Sequence, residues 1–135
     1  MSTFKYDTAA VAFGTKEIDW LTDDIRAMLV GPGYSVLRAT DQFVSIIPPA
    51  QIIVRSDQMI SMAITNGVYT GLIPQFLALA SETIVAALVI YKNNAGDDTT
   101  SQLIYYSDDG IGFPFLPAGV NYFVTYDQAN GGWFQ

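Results

Sequence analysis

Asp23-Asp24, Asp97-Asp98 and Asp108-Asp109 are the densest acidic spots of the chain. Paired carboxylates can cleave a glycosidic bond when they face each other about 5–9.5 Å apart across a sugar. Neighbours in a strand point to opposite faces, so a pair adjacent in sequence is not such a dyad. Loop acids can also hold calcium, which favours carboxylate and carbonyl oxygens. The stretch "NNAGDDTT" lacks the regular Asp spacing and closing Glu of a calcium loop. The acids therefore read as solvated turn residues, with a divalent-ion site as the alternative. Gly31-Pro32-Gly33 echoes a phosphate-binding loop, but no Gly-Lys-Ser/Thr follows it. It reads as a turn.

The absence of Cys and His excludes disulfides, Cys-based zinc sites and Ser–His or Cys–His catalysis. Acid, lysine or tyrosine chemistry remains formally open, but nothing in the sequence gathers such groups. The chain is read as a non-enzyme with no cofactor and no metal. The C-terminal third is instead dense in aromatic residues. These rings are expected to fill the core, with a few at a contact with another protein, where Tyr and Trp are favoured. Tyr122, Tyr126, Trp133 and Phe134 are the candidate interface residues. Asp127, Gln128 and Asn130 lie near them in sequence, so stacking on a glycan is the alternative.

The elements that must carry these residues are mostly strands. Apolar side chains recur with period two in "DIRAMLV", "DQFVSII", "QIIVR" and "DQMISMAIT". Asn66-Gly67 marks a tight hairpin. Ile84–Tyr91 is apolar on both faces and reads as a central strand covered on both sides. Lys92–Thr100 is a polar loop, and "QLIYY" and "VNYFVTYD" are further strands. "QFLALA" is ambiguous between a strand and one helical turn. No long stretch shows the helical period with caps. The expected fold is all-β: a single-domain β-sandwich over residues 1–135, jelly-roll-like, with eight to ten strands and little or no helix. Residues 1–15 have weak periodicity and are a candidate N-terminal arm.

The 135 residues are half hydrophobic and only 14% charged, well below the roughly 25% charge of an average domain. That balance suits a folded chain with contact surface. Thirteen acids against six bases give a net charge of −7. The bases Lys5, Lys16, Arg26, Arg38, Arg55 and Lys92 are scattered singly, which argues against nucleic acid and anionic membrane surfaces. The start lacks the apolar segment of a signal peptide. No run reaches the roughly 20 apolar residues of a membrane helix. Production and assembly in a cytosol are expected.

The order of segments resembles a family of small virion structural proteins of tailed bacteriophages, the capsid decoration or cement proteins. The resemblance rests first on Gly14, "IDWLTDDIRAMLV" and Tyr34, then on Asp41, Phe43, Ser45 and Ile47. It is firmest in "AALVIYKNNAGDDTTSQLIYYSDDG", Ala86–Gly110, and in "VNYFVTYDQANGGWFQ", Val120–Gln135. The middle, Pro48–Ala80, departs from the pattern, with only a loose echo in Gly67, Tyr69 and Gly71. These are strand and turn motifs without a catalytic signature.

The resemblance implies a protein on the outer capsid surface of a virion, binding the major capsid protein, commonly as a homotrimer, and clamping the lattice. A tail or baseplate component with a receptor or glycan contact is the second expectation. A polysaccharide hydrolase is a third, and it would need two of the acids to converge in a groove.

Overall fold

The computed structural model describes residues 3–74, 76, 84–108, 113–114 and 133. Their fold is all-β, in two antiparallel sheets with one short helix. The chain runs β1 (Thr3–Lys5), α1 (Asp7–Gly14), β2 (Ile25–Val30), β3 (Ile52–Arg55), β4 (Ile60–Thr65), β5 (Val68–Leu72), β6 (Ala87–Lys92) and β7 (Gln102–Ser107). The larger sheet has the order β1-β7-β6-β2-β3, and β4-β5 form the smaller. Seven described strands in this arrangement support the all-β class without establishing a jelly roll.

β6 is the centre of the larger sheet. Leu88, Val89, Ile90 and Tyr91 are all buried, so both faces are covered, as the unbroken apolar run implies. Each fully buried aliphatic side chain there contributes roughly 1.5–3 kcal/mol. β2 lies antiparallel alongside, with Met28 opposite Val89 and Leu29 opposite Leu88. β7 closes the other side, with Val89 opposite Tyr106. The hairpin falls where Asn66-Gly67 places it. Both residues adopt positive φ, 52° and 79°, which a two-residue turn between twisted strands requires.

Two elements differ from expectation. "DQFVSII" touches the sheet only through Phe43, which bridges Gln102, and then coils into a 3-10 turn, Val44–Ile46. Val44 and Ile47 are buried while Ile46 is exposed. That spacing of three is the period of a 3-10 turn rather than a strand, and Pro48-Pro49 ends it.

The second is α1. Residues 3–14 of the candidate arm, residues 1–15, pack on the same chain as edge strand β1 and a two-turn helix against β7. Tyr6, Ala9 and Ala12 are buried. The helix ends in a Schellman motif. Lys16 N–H bonds Phe13 O at 3.3 Å and Glu17 N–H bonds Ala12 O at 2.9 Å. The left-handed position belongs to Lys16, with φ of 65°, where glycine is usual. No side chain caps the N-terminus. Both ends therefore lack the residue types that announce a helix.

Candidate functional site

The three acidic pairs do separate structural jobs. Asp23 Oδ2 accepts from Asp19 N–H at 2.7 Å and pairs with Lys92 Nζ at 3.1 Å. Asp24 Oδ1 accepts from Arg26 Nε at 2.9 Å, and Oδ2 accepts from Asn93 Nδ2 at 3.0 Å. Burial pushes the Asp24 pKa up, but the bonds from Arg26 and Asn93 outweigh it and hold the group below its ordinary value. Lys92 also donates to Glu17 O at 2.6 Å. Together these contacts tie the entry to β2 onto the end of β6.

Asp97 and Asp98 diverge. Asp97 Oδ1 accepts from the Thr99 hydroxyl at 2.6 Å and from Thr99 N–H at 3.0 Å. The Thr99 hydroxyl is the main cause of a pKa below the ordinary aspartate value. Asp98 makes a bidentate pair with Arg55, at 2.9 and 2.8 Å. The Arg55 guanidinium lies 5.6 Å from the centre of the Tyr91 ring. The pair therefore fixes the loop to the end of β3 with planar, two-pronged geometry. Asp108 lies 3.4 Å from the Tyr106 hydroxyl, and Asp109 is outside the described residues. Among the described residues no group of three or more His, Cys, Asp or Glu is placed to hold a metal ion.

Gly31-Pro32-Gly33 wraps the end of Gln51. Gly33 N–H donates to Gln51 Oε1 at 2.9 Å. A Cβ at Gly31 would sit 2.5 Å from Oε1, and one at Gly33 2.6 Å from Cδ. The two glycines leave room for this carboxamide, which occupies the turn.

Of the four candidate interface residues, Tyr122, Tyr126 and Phe134 lie outside the described residues. Trp133 is 6% exposed. Its indole N–H donates to Gly71 O at 2.9 Å, and its backbone N–H donates to Tyr69 O at 2.9 Å. Its ring meets Tyr105 edge to face, 5.9 Å between centres. Trp133 thus joins β7 of the larger sheet to β5 of the smaller. Trp20 works beside it, donating its indole N–H to Thr70 O at 2.8 Å. Two tryptophans hold consecutive carbonyls of one strand. Within this chain, the Trp133 ring is a core element rather than a platform for a sugar.

Sequence reasoning did not single out the most buried polar network. The Tyr6 and Tyr34 hydroxyls lie 2.8 Å apart, and Tyr34 donates to Asp41 Oδ2 at 2.7 Å. Leu37 N–H donates to the same oxygen at 2.9 Å. Thr8 donates its hydroxyl to Asp41 O at 2.8 Å. Asp41 is 4% exposed. Burial is the main cause that drives the pKa of Tyr6 and of Tyr34 far above the ordinary tyrosine value. Phe4 and Tyr106 stack at 5.4 Å beside this network. The Tyr106 hydroxyl is pushed up to about 12, first by burial and then by Asp108. Tyr6 lies 28 residues from Tyr34 in sequence, so no local motif marks the link between them. Their geometry anchors α1 to the loop before the 3-10 turn.

Free apolar side chains stand elsewhere. Ile46, Ile60, Ile64, Leu72 and Ile84 are exposed. Ile60 lies directly opposite Leu72 across the hairpin, so two large aliphatic side chains share one solvent-facing position of the small sheet. Comparison of the chain with protein-family models, curated proteins and solved structures finds no significant match.

Proposed function

We propose that this chain is a non-enzymatic structural protein of a tailed-phage virion, which decorates the outer surface of the major capsid lattice and stabilises it. One observation carries the reading beside the family resemblance. Asp23, Asp24 and Asp98, three of the acids that suggested chemistry, are engaged in bonds that tie one segment of the chain to another, while large aliphatic side chains remain in solvent. A body braced in this way can bridge neighbouring subunits as a clamp. A ligand that binds the assembled lattice and not its loosened form stabilises the first by mass action.

The turn around Ile46 is the candidate lattice contact. Residues 42–54 carry no charged side chain, and Ile46, Pro48, Pro49 and Ala50 are exposed. Loss of charge with exposed apolar groups is the composition of an interface centre.

The test is co-sedimentation of the purified chain with mature capsids stripped of accessory proteins. Saturable binding that raises the temperature of capsid disruption, and that falls at least tenfold with Ile46→Asp, is expected. Capsids that neither bind nor gain stability would overturn the reading.

A further inference from the structure

We infer that the β4–β5 hairpin is a contact between two copies of this chain, in which β4 strands pair antiparallel across a twofold axis to form a four-stranded sheet. This goes beyond the capsid reading and does not depend on it.

The backbone points to the edge. A two-residue turn makes Thr65 and Val68 the closing hydrogen-bonded pair, and they are indeed opposite each other. Hydrogen-bonded and non-bonded pairs alternate along an antiparallel ladder. Ala63 and Thr70, also opposite, are therefore the next bonded pair. The C=O of Met62 and the N–H and C=O of Ile64 then point away from β5, with the register shift between Ile60 and Ala63 beginning at Met62. The same alternation sends the carbonyls of Tyr69 and Gly71 away from β4, and both accept N–H groups of Trp133. One outer edge of the hairpin is thus occupied. Among the described residues the other edge, β4, has no neighbour but β5.

Three observations favour a second copy as the occupant. A two-stranded sheet is marginal alone, whereas three or more strands with an apolar face are stable; pairing through β4 gives four. Residues 58–81 carry no charged side chain, although each copy bears a net charge of −7. Copies that repel overall can meet here without placing like charges in contact. Finally, β4 reads Ile-Ser-Met-Ala-Ile-Thr and lacks the Lys or Pro that commonly blocks an edge. Its irregularity at Ser61, which has φ of 56°, confines regular pairing to the turn side. Centring the axis on Ala63 places Met62 opposite Ile64 of the second copy, so the outward N–H of each Ile64 meets the outward C=O of the other copy's Met62. This closure gives two copies where the family resemblance implies three.

The test is the mass of the full-length chain in solution, by sedimentation velocity from low micromolar to near millimolar concentration. Mass should rise from 14.7 kDa to twice that value. Added salt should strengthen association by screening the net charges. Ile64→Lys and Thr65→Lys should each weaken it at least tenfold while the thermal melt stays cooperative. Leu37→Lys should leave it unchanged, since this exposed residue lies by the start of α1, whose other end approaches Tyr69. Amide exchange at Ile64 should slow as concentration rises. A mass fixed at 14.7 kDa, a trimer, or a dimer indifferent to both folded hairpin variants would overturn the inference.

Discussion

Trp133 donates its indole N–H to the carbonyl oxygen of Gly71 at 2.9 Å, one residue beyond the carbonyl that accepts from Trp20. The two indoles thus hold neighbouring carbonyls of β5, those of Thr70 and Gly71. Trp133 also meets Tyr105 of β7, which makes it a link between the two sheets.

Trp133→Phe is expected to destabilise the chain by about 1–3 kcal/mol, because the buried Gly71 carbonyl loses its indole partner. Trp133→Ala should cost more, about 3–5 kcal/mol, by adding a cavity. Urea denaturation followed by circular dichroism checks both. No change in midpoint for either variant would contradict the linking role.

Gly71 has its own constraint. A Cβ there would lie 2.5 Å from Met62 Sδ and 3.3 Å from Met59 Cε. Gly71→Ala should therefore displace the flexible Met62 thioether and cost about 1 kcal/mol. Met62→Ala in the same chain should recover part of that loss, a coupling that a double-mutant cycle reads directly.

The Tyr6–Tyr34–Asp41 network gives a third expectation. Tyr34→Phe removes a donor to Asp41 and the partner of Tyr6, with an expected loss of about 1–3 kcal/mol. Asp41→Asn keeps an acceptor of the same shape and should cost less than Asp41→Ala. Equal losses for the two Asp41 variants would show that the acceptor is unimportant.

The pH dependence follows from the signs of the shifts. Tyr6 and Tyr34 are raised by burial, so the folded chain holds protons that the unfolded chain releases. Their contribution is full below the unfolded value of about 10 and declines as pH rises above it. Asp24 and Asp97 are lowered. Their contribution is full above the unfolded value of about 4 and is lost as pH falls through the folded values. The Tyr6 and Tyr34 hydroxyls should ionise only as the chain unfolds. Early, complete tyrosine ionisation in the folded chain would contradict the burial of these hydroxyls.

The strands were legible where apolar residues alternate or run unbroken. Ile84–Tyr91 announced the central strand, and Asn66-Gly67 announced its turn because only a few residue types accept positive φ. α1 was hidden because Lys16 occupies the glycine position of its C-terminal motif and no side chain caps its start. "DQFVSII" misled because in so short an apolar segment a spacing of three is hard to tell from alternation. The acids were read as turn residues, but their partners were not visible. Arg55 and Asp98, or Tyr34 and Tyr6, meet only through the tertiary fold. The phage resemblance came from strand and turn motifs, and its functional content is a proposal on which the fold is silent.

The most direct measurement of the capsid role is immunogold labelling of intact parent virions with antibody against this chain, viewed by electron microscopy. Label distributed over the head is the expected result. Label confined to the tail, or no label on particles that contain the chain, would contradict decoration of the outer capsid.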